Sequence, residues 1–185
     1  MSIAPPPSEV WLTLAGEINN AACGRLFHNM AQVTQSKIPR VHLLIQSAGG
    51  FVGDGIAMYN FLNRLPVELV TYNGGAVESI AVLPYLAGKV RRASKTAVLT
   101  MHKTISGVST KGEPATQLRA KADNADLHDS NVEQILRLYL KMPDSKWEVH
   151  AARDLLIPTE DALNFAMIHE VADFAPPQGT PHYNI

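Results

Sequence analysis

Apolar residues along the chain fall into short runs that alternate with segments of helical periodicity. Two of these runs, Trp11 to Ala15 and Val41 to Gln46, have the length and composition of buried strands. After the first run, Asn19 or Asn20 can cap a helix that extends to about Ser36. A glycine turn and a second helical pattern follow the other run, so the chain begins with two predicted βα units.

The same cycle repeats in the middle of the chain. Glu68 to Asn73 predicts a strand that ends in a turn at Gly74 and Gly75. Ser79 to Ala87 predicts the next helix, and Val98 to Met101 predicts another strand. Strands that alternate with helices indicate an α/β domain of βαβ units, in which functional groups gather where strands end and helices begin.

A long helix is predicted between Pro114 and Lys141. One face of it carries a stripe of positions three and four residues apart, interrupted by a single acid. These positions are Leu118, Ala122, Ala125, Asp129, Val132, Leu136 and Tyr139. The first half of the helix is polar and the second half apolar, so we expect the first half to project and the second to pack on the domain. Such a helix can also mediate assembly.

The last third of the chain predicts a shorter helix at Ser145 to Ala152, a helix capped by Thr159, and a strand near His169 to Ala172. The C-terminal residues contain three prolines and a glycine, which favours an extended or disordered arm. We therefore expect an N-terminal extension at residues 1–10, one domain at 11–174 and a tail at 175–185.

Composition and charge exclude several classes of protein. The chain of 185 residues has a net charge of -1, so it lacks the basic surface expected of a nucleic-acid-binding protein. Its single cysteine, Cys23, cannot form an internal disulfide, and no apolar segment is long enough for a membrane span. We expect a cytoplasmic protein without membrane or nucleic-acid partners.

The strand-to-helix junction before Ser79 is the most informative candidate for chemistry. The hydroxyl of Ser79 would lie at the positive end of a helix, next to the unpaired N–H of Ile80. A second N–H from Gly50 would complete a pair of donors for a developing oxyanion. A serine nucleophile also needs a histidine and a carboxylate, which spacing alone does not identify. On spacing alone, Ser79 as an ordinary helix cap is the simpler interpretation.

The other histidines and the cysteine show no spacing typical of a metal site, so we expect no metal. These histidines are His28, His42, His128, His150, His169 and His182. The glycine pattern around Gly49 and Gly50 matches neither a dinucleotide-binding nor a P-loop sequence, so no nucleotide cofactor is expected.

Four segments, in order, resemble the proteolytic subunit of the Clp protease family. VHLLIQSAGG resembles the strand and turn of that family, GAVESIAVLPYLAG its nucleophile segment, and VLTMHK the strand that ends in its catalytic histidine. ARDLLIPTEDALNFAMIHEV resembles the stretch from its catalytic aspartate to its final strand. The resemblance implies the spiral of βαβ units of the ClpP and crotonase superfamily, with a long projecting helix.

The resemblance also implies a function. It makes Ser79 the nucleophile, His102 the general base and Asp154 the group that orients the imidazole, with Gly50 and Ile80 as oxyanion donors. The implied activity is that of a serine endopeptidase without a cofactor, which cleaves peptides or unfolded proteins inside a homo-oligomeric ring or stacked rings. An AAA+ unfoldase is a further implied partner, although the N-terminal segment is shorter than the family usually has.

Two alternatives stay open at the level of the sequence. A non-catalytic ring subunit would keep this fold without using Ser79. An acyl-CoA enzyme of the crotonase fold would use the two backbone donors without a serine nucleophile.

Overall fold

The computed structural model describes residues 7–107 and 112–185, which form one mixed sheet with helices. The strands in this part of the chain are β1 (Glu9–Ala15), β2 (Arg40–Ser47), β3 (Glu68–Glu78), β4 (Val90–Ala93), β5 (Val98–Met101), β6 (Leu155–Pro158), β7 (Glu170–Val171) and β8 (His182–Asn184). The helices are α1 (Asn20–Gln35), α2 (Val52–Leu62), α3 (Val82–Leu86), α4 (Ala115–Tyr139), α5 (Asp144–Ala152) and α6 (Thr159–Asn164), with a 3-10 turn at Ser79–Ala81 before α3. The predicted α/β class is confirmed.

The sheet is parallel except at one end. Its strands run in the order β6, β5, β3, β2, β1, β8, and only the pairing of β5 with β6 is antiparallel among the described strands. The long strand β3 changes partner along its length: Val70 to Asn73 pairs with β4, and Ala76 to Glu78 pairs with β5. Through this change of partner the chain passes from one branch of the sheet to the other, and β3 ends at Glu78, directly before Ser79.

The predicted turn at Gly74 and Gly75 is wrong, because β3 continues through both glycines. They lie where β3 leaves β4 and has not yet reached β5. Side chains supply the hydrogen bonds that the ladder lacks here: the Gly75 N–H donates to Asn73 Oδ1 (3.0 Å), and the Ala76 N–H donates to Gln46 Oε1 (3.1 Å). Glycine thus marks an irregularity in a strand rather than its end.

The two faces of the sheet bury different residues. Alternate residues of the central strands, such as Leu12, Leu43 and Leu69, pack with the helices into the main hydrophobic core. The opposite face carries a smaller cluster around Trp11 and Tyr72. The helices therefore cover one face, and an aromatic patch occupies the other.

Several helix predictions are confirmed. Asn19 caps α1, since its Oδ1 accepts the N–H of Ala22 at 3.0 Å. The helix α4 spans nearly the predicted range, and its one fully buried residue, Leu136, lies in the predicted packing half. Thr159, in contrast, is not a cap. It is the first residue of α6, and its hydroxyl donates towards the carbonyls of Ser94 and Ala97.

The strands β4 and β6 were not predicted. The C-terminal segment takes the extended alternative, because β8 pairs in parallel with β1 and the side chain of Ile185 joins the main core. Residues 1–6 of the expected N-terminal extension lie outside the described part of the chain, and the first strand begins at Glu9 rather than at Trp11.

Candidate active site

Ser79 is the first residue of the 3-10 turn that follows β3 and leads into α3. Its φ angle is +54°, in the left-handed region that residues with a Cβ rarely adopt. Such a conformation costs about 1–3 kcal/mol and persists only where the surroundings enforce it, most often at functional sites. The hydroxyl-bearing residue of this junction is therefore held in a strained backbone conformation.

Glycines on two neighbouring segments allow the close packing that holds Ser79. A Cβ on Gly49 would lie 2.6 Å from the Cβ of Ser79, and Gly49 itself has a φ of +100°. A Cβ on Gly55 in α2 would overlap the side chain of Ile80. The loop after β2 and the first turns of α2 thus approach Ser79 more closely than any residue with a side chain could.

Two backbone N–H groups beside Ser79 are left without acceptors. The Ile18 N–H donates to the Gly49 carbonyl and the Phe51 N–H donates to the Ile18 carbonyl, both at 2.8 Å. These bonds fix the loop on either side of Gly50, whose own N–H bonds to no described residue, and neither does that of Ile80. The two donors predicted for an oxyanion are therefore free.

A cavity of about 260 Å³ joins these groups to the predicted histidine. Ser79, Gly50, Ile80 and His102 all line it. Its remaining wall is mostly apolar and comes from α2, α3, α4 and the segment around β5, with Val52, Val82, Leu83, Met101, Ile105, Val132 and Leu136. Four of the five predicted site residues thus share one cavity with an apolar wall.

His102 follows directly after β5 and is half-buried. Its Nδ1–H donates to the carbonyl of Lys103 at 2.7 Å. Asp154 follows α5, is exposed, and lines with His102 a neighbouring cavity of about 240 Å³. Across residues 7–107 and 112–185, no hydrogen bond joins Ser79 to His102 or His102 to Asp154. The structure places the three predicted triad residues around adjoining cavities but does not connect them by hydrogen bonds.

Sequence analysis missed the residues of α4 that hold the segment after His102. Asp129 Oδ1 accepts the N–H of Thr104 at 2.8 Å, and Lys103 Nζ donates to Glu133 Oε2 at 3.1 Å. The one available signal was the acid that interrupts the apolar stripe of α4, since Asp129 also lines the main cavity.

His150 in α5 is a further residue that the sequence did not indicate. It is only 3% exposed and lines both cavities. Its Nδ1 has no hydrogen-bond partner among the described residues. Burial lowers the pKa of His150, and the nearby Lys103 ammonium lowers it further. The imidazole is therefore neutral at neutral pH.

Other chemistries find little support in this part of the chain. Among the described residues, no group of three or more His, Cys, Asp or Glu side chains could hold a metal ion. The buried thiol of Cys23 donates to the Asp54 carbonyl, and burial raises its pKa to about 11, which makes it a poor nucleophile. None of the described helices is long and apolar enough to cross a membrane.

Comparisons with known proteins give a consistent result. Residues 8–174 match the model of the Clp protease family. The chain is 25% identical to ATP-dependent Clp protease proteolytic subunit 3 of Streptomyces coelicolor over 154 residues, which cover 82% of this chain and 68% of that protein. It is 27% identical to proteolytic subunit 2 of Thermobifida fusca over 162 residues, covering 86% of this chain and 77% of the relative.

A solved structure shares the fold. A ClpP1 mutant from Listeria monocytogenes superposes with a TM-score of 0.76 at 15% identity, covering 89% of this chain and 91% of that one. At this identity the likeness concerns the fold alone, and it agrees with the predicted ClpP-type spiral of βαβ units.

Proposed function

This chain belongs to the Clp protease family, and on that premise we propose that it is a serine endopeptidase in which Ser79, His102 and Asp154 act as the catalytic triad. The Oγ of Ser79 attacks the peptide carbonyl while His102 accepts its proton. His102 then returns the proton to the leaving amine, and Asp154 holds the imidazole in the required tautomer. Water repeats the sequence on the acyl-enzyme and releases the second product.

The observation that carries this proposal is the strained Ser79 beside two free backbone donors. The amides of Gly50 and Ile80 bond to no described residue, and together they can bind the negative charge that develops on the carbonyl oxygen. Removing one such donor typically costs about a hundredfold or more in turnover. An ordinary helix cap would require neither the positive φ nor a pair of unused amides.

Catalysis requires one rearrangement of His102. Its Nδ1–H now donates to the Lys103 carbonyl, whereas a working triad needs this N–H on Asp154 and Nε2 near Ser79. Both His102 and Asp154 line the same small cavity, and the proposal requires the imidazole to rotate until its Nδ1–H meets this carboxylate. We propose that substrate binding or assembly favours this rotation.

The expected substrate is an extended peptide. Phe51, which is 62% exposed, and Ile105, which is 82% exposed, lie on the two segments that border the cavity. A peptide strand can add its main-chain hydrogen bonds between these segments, which gives broad sequence tolerance. The apolar wall of the cavity favours an apolar side chain next to the cleaved bond.

Assembly is part of the same proposal. Leu118 and Leu127 are exposed on the first half of α4, as is Leu138 near its end. A contact between subunits would cover these side chains, which is consistent with a homo-oligomeric ring whose domain spans residues 11–174. The relatives named above are proteolytic subunits of ATP-dependent Clp proteases. We therefore also propose a partner ATPase that delivers unfolded protein to the ring.

A fluorophosphonate tests the proposed nucleophile directly. We expect an adduct on Ser79, read by intact-mass and peptide mass spectrometry, that disappears in Ser79→Ala and in His102→Ala. Ser36→Ala is the matched control, because Ser36 is an exposed residue at the end of α1 and its loss should leave labelling unchanged. An assembled protein that forms no adduct would contradict the proposal.

One observation favours a second candidate, a non-catalytic ring subunit. The described residues contain no hydrogen bond between members of the triad, as expected if these three side chains never form a catalytic triad. In that case Ser79→Ala would leave every function unchanged. The family match over residues 8–174 favours a Clp-type subunit, catalytic or not, over an acyl-CoA enzyme. An increase in unfolding temperature on addition of acyl-CoA would instead support the acyl-CoA enzyme.

A further inference from the structure

The peptide unit that joins Lys103 to Thr104 lies between an acid of α4 and the predicted catalytic histidine. Its carbonyl accepts the Nδ1–H of His102 at 2.7 Å, and its N–H donates to Asp129 Oδ1 at 2.8 Å. The carbonyl and the N–H belong to one planar unit and point in opposite directions. A chain of two hydrogen bonds therefore connects the Asp129 carboxylate to the imidazole of His102.

Side chains of α4, rather than the sheet, hold this peptide unit. The strand β5 ends at Met101, and residues 102–107 form no regular secondary structure. Besides the bond to the N–H, Glu133 of α4 accepts from Lys103 Nζ at 3.1 Å and from Arg137 Nε at 2.9 Å. Both residues of the peptide unit are therefore fixed to one helix.

The bond from Asp129 strengthens the bond to His102. A carboxylate that accepts an N–H polarises the whole peptide unit, which makes its carbonyl a better acceptor. Both bonds are partly buried, where water competes less for the same groups. A triad would require the same Nδ1–H to be donated to Asp154. The Lys103 carbonyl and Asp154 thus compete for one N–H, and Asp129 favours the carbonyl.

We propose that Asp129 is a positioning residue for His102, which it holds away from Asp154 through the Lys103–Thr104 peptide unit. This inference rests on the proposed triad and adds a residue that acts on the histidine indirectly. Asp129 also lines the cavity that contains Ser79, so a peptide bound there lies next to the carboxylate. Displacing the carboxylate from the peptide N–H would weaken the bond to His102 and favour the rotation that catalysis requires.

Two substitutions of Asp129 test this role. Asp129→Ala removes the acceptor, whereas Asp129→Asn keeps an amide oxygen that can accept the same N–H without the charge. The labelling rate depends on the fraction of molecules in which His102 has the working orientation. We expect the fluorophosphonate to label Ser79 about three to ten times faster in Asp129→Ala, with Asp129→Asn between that variant and the wild type. Unfolding would slow labelling, so it cannot explain a faster reaction.

Asp126→Ala is the matched control, because Asp126 is an exposed acid on the same helix. Its replacement removes the same charge from α4 and should leave the labelling rate unchanged. Equal acceleration in Asp126→Ala and Asp129→Ala would show a general effect of charge. An unchanged or slower rate in Asp129→Ala would show that Asp129 does not hold His102 back. Either result would overturn the proposal.

The acceleration should also depend on Asp154. In a double variant that combines Asp129→Ala with Asp154→Asn, the released Nδ1–H has no carboxylate to bind. We therefore expect no acceleration over Asp154→Asn alone. Equal acceleration with and without the Asp154 carboxylate would contradict the competition between Asp154 and the Lys103 carbonyl.

The crystal structure of Asp129→Ala separates this inference from the proposed function. We expect His102 to leave the Lys103 carbonyl in at least part of the molecules, whereas it should stay there in Asp126→Ala. An imidazole that still donates to this carbonyl throughout the Asp129→Ala crystal would refute the positioning role. If the wild type and Asp129→Ala both form no adduct on Ser79, the proposed function fails, while the orientation of His102 in the crystal still decides the role of Asp129.

Discussion

The buried histidines on the two sides of the sheet, His42 and His150, differ in how many of their ring nitrogens have hydrogen-bond partners. On the outer face, His42 stacks on Trp11 with ring centres 3.9 Å apart and planes within 4°. Its Nδ1 bonds the Tyr72 hydroxyl at 2.8 Å and its Nε2 bonds Glu9 at 3.3 Å. Arg92 donates to the same hydroxyl at 2.7 Å. Both ring nitrogens of His42 therefore have partners.

The cavity side leaves several polar groups unused. Nδ1 of His150 and the N–H groups of Gly50 and Ile80 bond to none of the residues that the structure describes. Asp154 is exposed and forms no hydrogen bond within the same residues. Groups paired within the fold contribute to stability, whereas groups left unpaired around a cavity remain available for a ligand at a cost in stability. The contrast points to the same candidate site without reference to any motif.

Gly49→Ala should displace the proposed nucleophile itself. The new methyl would lie 2.6 Å from the Cβ of Ser79, and alanine is strained at a φ of +100°. We expect labelling of Ser79 to fall by about a hundredfold or more, because small misplacements of reacting groups have effects of this size. Gly24→Ala, in α1 with nothing within 4 Å of the new Cβ, should keep full labelling and raise stability by about 0.4–1 kcal/mol.

Asp154→Asn should lower turnover without changing the unfolding temperature. An amide cannot hold the catalytic tautomer, so turnover should fall by about 10⁴-fold if Asp154 completes the triad. The unfolding temperature should not change, because the carboxylate is exposed and has no partner in the described structure. Asp123→Asn on the exposed face of α4 is the control. Equal turnover in the two variants would exclude Asp154 from the triad.

Tyr72→Phe should give the reverse pattern. It removes the hydroxyl that bonds both His42 and Arg92 and leaves two partners unsatisfied. We expect a loss of about 1–3 kcal/mol in the free energy of unfolding with unchanged labelling of Ser79. Tyr183→Phe is the control, since Tyr183 is 54% exposed and its loss should have no measurable effect. A loss of Ser79 labelling in folded Tyr72→Phe would show that the aromatic face also affects the site, which would contradict the contrast between the two faces.

The smallest effect concerns pH. Burial lowers the pKa of both His42 and His150 from the ordinary value of 6.5. As pH falls, the unfolded chain therefore binds more protons than the folded chain. The contribution of these two histidines to the free energy of unfolding is complete above about pH 6.5, and it decreases as pH falls towards their folded-state pKa values. We expect the unfolding temperature to drop between about pH 7 and pH 5, and His42→Gln to reduce that drop. A constant unfolding temperature over this range would contradict the pKa directions.

Much of the fold follows from sequence pattern. The cap at Asn19, the strand before His102 and the extent of α4 follow from local periodicity and side-chain chemistry, which neighbouring segments do not override here. Gly74 and Gly75 mislead because glycine marks both turns and irregular strands, and only the pairing partners decide between them. The strand β8 depends on pairing with β1 at the opposite end of the chain, which no local pattern records.

The site was predictable in part. The two strand-to-helix junctions drew attention to Gly50, Ser79 and Ile80, and the family resemblance supplied their proposed roles together with His102 and Asp154. The orientation of His102 was not predictable, because it depends on a hydrogen bond to the next carbonyl in the chain. Nor was the burial of His150 in the wall of both cavities, which depends on how α5 packs in the fold.

The structure of the protein with a peptide boronic acid tests the central contrast most directly. We expect a tetrahedral boron on Ser79 Oγ, with one oxygen within about 3 Å of the N–H groups of Gly50 and Ile80. We also expect His102 to turn its Nδ1–H from the Lys103 carbonyl to Asp154. A boronate bound elsewhere, or bound to Ser79 with both amides still unused, would contradict the proposed oxyanion site.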